Sequence, residues 1–94
     1  IYPAELEEFL AAQKGILEAH VFGIPDEKFG EQLVAWVIAE EGANLDEITI
    51  QNLCKNALAY YKVPAIVRFV KEVPLTATGK AQKFKMREIM LNET

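Results

Sequence analysis

Residues 74–80 read Pro-Leu-Thr-Ala-Thr-Gly-Lys. Two hydroxyls, an unhindered glycine N–H and an ammonium stand close together in that stretch. Hydroxyls and backbone N–H groups can meet phosphate oxygens, and glycine lets a backbone approach a ligand closely. Lysine adds a point charge on a long flexible stem. The candidate chemistry is the handling of a phosphorylated ligand, with Lys80 as the charge and Thr76, Thr78 and Gly79 as phosphate contacts or as supports of the loop. A P-loop is excluded, because that motif needs glycine at position 74 and Ser or Thr after the lysine. This chain has Pro74 and Ala81 there. On chemistry alone, a solvated turn carrying an ordinary surface lysine fits the same residues.

The elements around this stretch can be read from periodicity. Residues 3–13 read as a helix: proline suits a first helical position, and Leu6, Phe9 and Leu10 form one stripe. Lys14-Gly15 stops it. Residues 16–24 read as a strand with Leu17, Ala19 and Val21 on one face, broken by Pro25-Asp26. Residues 32–39 are apolar on both faces, which predicts a central strand with cover on each side and Trp36 as a core anchor. Asp46 is a candidate N-cap for a helix whose stripe is Ile50, Leu53, Cys54, Ala57 and Leu58. Pro64 ends that segment. Residues 66–73 alternate as a third strand, and residues 81–91 read as a basic amphipathic helix with Phe84, Ile89 and Leu91 as anchors. Tyr60 and Tyr61 are expected to pack at the sheet edge. The expected fold is α+β: a small two-layer domain with a three-stranded, mainly antiparallel sheet and about three helices.

Composition bounds the function. A chain of 94 residues is one domain or less. Hydrophobic residues at 51% exclude a disordered chain, and no apolar run approaches the ~20 residues of a membrane span. Cys54 is the only cysteine and His20 the only histidine. A disulfide framework, a cysteine cluster and a histidine-rich metal site are thereby excluded. The net charge of −4 hides a split. The acids crowd into residues 1–54, whereas eight of the ten bases fall in residues 55–94. Such asymmetry speaks of partners. A start at Ile1 with no leader pattern reads as a segment of a longer protein.

The sequence Pro74-x-Thr76-x-Thr78-Gly79-Lys80 resembles the C-terminal signature of the adenylate-forming ligases, which include acyl-CoA synthetases, peptide-synthetase adenylation domains and luciferases. Three more segments are similar, in family order. Ile1-Tyr2-Pro3-Ala4-Glu5-Leu6-Glu7 resembles the stretch just after the family's hinge. The run Gly23-Ile24-Pro25-Asp26-Glu27-Lys28-Phe29-Gly30-Glu31 resembles its first strand and turn. Tyr61-Lys62-Val63-Pro64 resembles the segment before its third strand. The resemblance covers essentially the whole chain, and residues 26–37 and 82–89 look most like acyl-CoA synthetases acting on medium or longer fatty acids.

The resemblance implies that residues 1–94 are the mobile C-terminal domain of a fatty-acyl-CoA synthetase. The large N-terminal ATP- and acyl-binding domain is absent from this chain. In the family a carboxylate attacks the α-phosphorus of ATP and expels pyrophosphate; the thiol of CoA then attacks the acyl-adenylate and expels AMP. Lys80 matches the adenylation lysine. Lys55 and the segment Val63, Pro64 and Ala65 fall where CoA contacts are expected. Ala65 and Phe29 stand where relatives often carry basic residues, and Lys28 and Lys62 are the candidates to replace them, with a solvated surface role the alternative for each lysine. ATP and CoA are the implied substrates, with Mg2+ held mainly by the missing domain and no metal site here. The implied partner is the protein's own N-terminal domain, not nucleic acid, and the implied location is cytoplasmic, with peripheral membrane contact as the alternative. Isolated, the domain is expected to be inactive. The rivals are a nucleic-acid-binding or protein-binding module using the basic half, against which stands the lack of an RNA-binding aromatic signature or recognition helix.

Overall fold

The computed structural model describes residues 3–26, 28, 30–57 and 63–93. Helix α1 spans Pro3–Ala11. It stops short of residue 13 because turn bonds close it: the Gln13 amide donates to Leu10 O, and Gln13 Nε2 to Phe9 O at 3.0 Å. Gly15 then takes φ +90°, the left-handed geometry that a β-carbon opposes. Leu6 and Leu10 are buried and Phe9 is half-buried, as the stripe requires.

Strand β1 (Ile16–Asp26) pairs antiparallel with β2 (Gly30–Ala39), and β3 (Ile66–Phe69) joins β2 in parallel, giving the order β1-β2-β3. β1 runs straight through Pro25, which pairs with Glu31. This is tolerated because β1 is an edge strand. Its odd-numbered groups face outwards there, as the outward bonds of Val21 N–H and Gly23 C=O show. Proline therefore lacks an N–H that the ladder does not use. A register shift between Ile16 and Glu18 turns Leu17 out, 57% exposed, so it does not share the face of Ala19 and Val21. β3 is half the length its alternation suggests. Val70 N–H still reaches Val37 O at 2.9 Å, after which the chain leaves the sheet.

Asp46 caps helix α2 (Glu47–Ala57) as expected, its Oδ1 accepting Thr49 N–H at 2.8 Å. Leu58, Tyr60 and Tyr61 lie outside the described residues. Helix α3 spans Lys83–Asn92. Val34, Ala35, Trp36 and Val37 of β2 are all buried, because both faces of the sheet are covered. On one face α1 and α2 pack Leu6, Leu10, Ile50 and Cys54 against Ala19, Val21, Ala35, Val37 and Val67. On the other, α3 packs Met86 and Met90 against Phe22, Ile24, Val34 and Trp36. The α+β class and the three strands and three helices are as expected. The cover on the second face makes a third layer where two were expected.

The anchors of α3 differ from expectation. Met86 and Met90 are buried, whereas Phe84, Ile89 and Leu91 are 56%, 40% and 43% exposed. Positions 84 and 89 lie roughly 140° apart on a helix and cannot share one contact face. The i, i+4 pair of methionines can.

Candidate functional site

Residues 75–81 form a small hairpin whose ends bridge at Leu75 and Ala81. Thr76 N–H donates to Lys80 O at 2.8 Å, and Gly79 N–H to Thr76 O at 2.9 Å. The loop proper is thus Ala77-Thr78-Gly79, a three-residue hairpin that needs a left-handed residue last. Gly79 supplies it at φ +86°. Its missing β-carbon would touch nothing within 4 Å, so the demand there is for backbone conformation, not space. Thr76 Oγ1 accepts Lys80 N–H at 3.0 Å and lies 3.0 Å from Thr78 Oγ1. Both hydroxyls are therefore engaged inside the loop, and the backbone of Lys80 is bonded through its N–H and its C=O. The Lys80 side chain is exposed. Among the described residues nothing pairs with its ammonium. The result is an exposed charge on a fixed root.

The helix that follows is basic, but its charges are mostly spent inside the domain. Lys83 Nζ lies 2.9 Å from Glu7 Oε2 of α1. Arg87 Nε donates to Gly23 O on the outer edge of β1 at 3.0 Å. At the far end, the Arg68 guanidinium of β3 forms a two-pronged pair with Glu93, one bond measuring 2.8 Å. It also lies over the Trp36 ring, 5.7 Å from its centroid. Each partner shifts the other: Arg68 holds the Glu93 carboxyl below its usual range, and Glu93 raises the guanidinium further. Lys85 remains exposed.

The residues expected to meet CoA gather elsewhere. Gln51 Nε2 of α2 donates to Pro64 O at 3.0 Å and to Ala65 O at 3.2 Å. Ala65 N–H donates to Leu33 O at 3.0 Å. Lys55 lies one turn beyond Gln51, and Lys28 sits in the turn that leads into β2. Val63, Pro64, Ala65, Lys55 and Lys28 therefore fall at the end of the sheet where β2 and β3 begin. Lys80 lies on the hairpin that leads into α3, and it is Arg87 of that helix that reaches the β1 edge. Pro64 is buried, while Ala65, Lys55 and Lys28 are exposed. Lys62 and Phe29 lie outside the described residues.

Two remaining candidates are structural. Cys54 is buried and burial pushes its thiol pKa up, which makes a poor nucleophile. His20 meets Glu18 at 3.0 Å. Two carboxylates carry roles that the sequence patterns do not reveal. Glu7 Oε2 accepts the N–H of Val21 on β1 at 2.7 Å, and Glu47 Oε2 accepts that of Val67 on β3 at 2.9 Å. Each occupies an otherwise open edge of the sheet. By sequence both look like ordinary acids near the positive end of a helix.

Comparison with known proteins places this geometry. Residues 5–80 match the family described as AMP-binding enzyme C-terminal domain. A mitochondrial medium-chain acyl-CoA ligase of Danio rerio is 48% identical over 88 residues, which are 94% of this chain and 14% of that protein. A fatty acyl CoA synthetase of Mycobacterium tuberculosis superposes with a TM-score of 0.83 at 40% identity, over 94% of this chain and 17% of that one. ATP-bound MatB of Rhodopseudomonas palustris superposes with a TM-score of 0.89 at 36% identity, over 95% and 18%. The chain thus spans less than a fifth of the length of these relatives. With its matched span running from α1 to Lys80, the chain belongs to the family of C-terminal domains of AMP-binding enzymes.

Proposed function

We propose that this domain serves an AMP-forming fatty acid–CoA ligase and brings Lys80 to the adenylation step. The observation that carries this is the root of Lys80. Its backbone is bonded to Thr76 on both sides, while its ammonium is exposed and unpaired among the described residues. A lysine so held can be delivered to a site as one piece with the domain. There a carboxylate oxygen attacks the α-phosphorus of ATP, the bond to the β-phosphate oxygen breaks, and pyrophosphate leaves. Two anions must approach, and a positioned ammonium between them stabilises the developing charge without moving a proton. Thr76, Thr78 and Gly79 support the loop.

In the second step the thiol of CoA attacks the acyl carbonyl and AMP leaves. Lys28, Lys55 and the segment 63–65 are proposed to meet the CoA phosphates from the end of the sheet where β2 and β3 begin, and Lys62 is proposed with them from its place in the sequence. Among the described residues no group of three His, Cys, Asp or Glu side chains is placed to hold an ion. No step is assigned to Mg2+. Engagement of Lys83, Arg87 and Arg68 within the domain leaves less of the basic half for a nucleic acid. A cytoplasmic location is proposed on the single unpaired Cys54.

The test is Lys80→Ala in the full-length protein. Acyl-adenylate formation should fall by roughly 10²–10³-fold. Thioester formation from supplied acyl-adenylate should be nearly unchanged. Equal loss in both half-reactions would remove Lys80 from this role.

A further inference from the structure

We infer that Glu7 is a positioning residue for Lys80, acting through Lys83; the inference rests on the adenylation role proposed for Lys80. Helix α3 begins three residues after Lys80, and its start is poorly provided for. Gln82 at its N-cap makes no side-chain capping bond, and its first turn carries no acid. Lys83 and Lys85 instead place positive charge at the positive end of the helix dipole, an unfavourable arrangement. Glu7 supplies from α1 the acid that α3 lacks.

The geometry makes this more than a surface ion pair. The oxygen that meets Lys83 at 2.9 Å also accepts Val21 N–H at 2.7 Å. Its side chain is therefore oriented by a charge-assisted bond to the edge of β1 whether or not Lys83 arrives. Both partners are largely shielded, with Glu7 22% and Lys83 35% exposed. One carboxylate oxygen thus joins α1, β1 and the first residue of α3. The hairpin of Lys80 is closed immediately before α3 by Gln82 N–H on Pro74 O at 2.9 Å, so its base runs straight into the helix. Through Lys83 and Glu7 the start of α3, three residues after Lys80, is tied to α1.

In the full-length protein, Glu7→Gln keeps an oxygen for Val21 and removes only the charge. Lys83→Met removes the other partner, and Lys83→Arg conserves the pair. Glu7→Gln and Lys83→Met should each lower kcat for acyl-adenylate formation roughly tenfold, since small misplacements of a reacting group cost about that or more. Thioester formation from supplied acyl-adenylate should be unchanged. The double variant should be no slower than either single one, and Lys83→Arg should restore the rate. Unchanged adenylation in Glu7→Gln overturns the inference. So does equal loss in both half-reactions, which is the mark of a merely structural contact. A Lys80→Ala control separates the failures. Adenylation that survives Lys80→Ala removes the reading of Lys80 and this inference with it. Adenylation lost in Lys80→Ala but untouched in Glu7→Gln removes this inference alone.

Discussion

On one face of the sheet, α1 and α2 bury four side chains, Leu6, Leu10, Ile50 and Cys54, against three strands. On the other, α3 buries only Met86 and Met90 and relies on directional ties: Lys83 to Glu7, Arg87 to Gly23 O, and Arg68 to Glu93. Apolar burial is strong but has no direction. Ion pairs open to solvent add little net energy, but their hydrogen bonds are directional and fix geometry. The face that holds the domain together is therefore greasy. The face that carries Lys80 is held by contacts that fix an angle.

The sharpest way to break this contrast is to hollow each face in turn. Ile50→Ala removes a fully buried side chain from the α1/α2 face and should cost about 2–5 kcal/mol. Trp36, the only tryptophan, lies on the opposite face. Its emission in the folded state should stay unchanged while the urea midpoint falls. Met86→Ala should also lower the midpoint, but it should shift the folded-state emission, because Met86 and Trp36 share a cluster. If Ile50→Ala moved the emission as much as Met86→Ala, the two faces would not be independent.

The next effect is confined to the hairpin. Gly79→Ala should cost about 1–2 kcal/mol, since alanine resists φ +86°. Nothing crowds the position, so the cost is purely conformational. Asparagine tolerates that geometry better, so Gly79→Asn should be milder than Gly79→Ala in acyl-adenylate formation by the full-length protein. If the two variants were equally impaired, backbone geometry would not be what Gly79 supplies.

How much of this could be read from the sequence follows the same division. The stripes of α1 and α2 and the two-sided apolarity of β2 are statements about burial, and burial is what residue type reports. The cap at Asp46 is legible for another reason, because its hydrogen bond reaches only three residues along the chain. The α3 face is less legible. Phe84, Ile89 and Leu91 are more apolar than anything else on that helix, yet Met86 and Met90 face the sheet. The three polar ties favour that rotation, and the partners they reach, Glu7, Gly23 and Arg68, are distant in sequence from α3. Leu17 was misplaced for a related reason, because a register shift leaves no mark on alternation. The hairpin was legible as a motif. The bonds from Thr76 to both polar groups of Lys80's backbone were not, since the threonines suit phosphate contacts equally well.

The smallest effect, and the most selective, comes from acid. Glu93 and Asp46 are both held below the usual carboxylate range. Arg68 does this for Glu93, and the Thr49 hydroxyl and N–H do it for Asp46. In each case the folded state favours the ionised form, so the unfolded chain binds more protons at low pH. The stabilisation is therefore present above ordinary carboxylate values, about pH 4–4.5. It is lost as pH falls through the lowered folded-state values. The two groups sit on different faces, which lets the loss be assigned. Protonating Glu93 frees Arg68 from its partner at the end of α3 and loosens the guanidinium cover on Trp36. Quenching of Trp36 by acrylamide should rise as pH falls through the lowered folded-state value of Glu93, ahead of global unfolding. That rise should be missing in Glu93→Gln, whose Trp36 is uncovered to the same extent at every pH. It should persist in Asp46→Asn, because Asp46 serves α2 on the other face. A rise that survived Glu93→Gln would mean that α3 is held over Trp36 by its methionines alone, and the directional account of that face would fail.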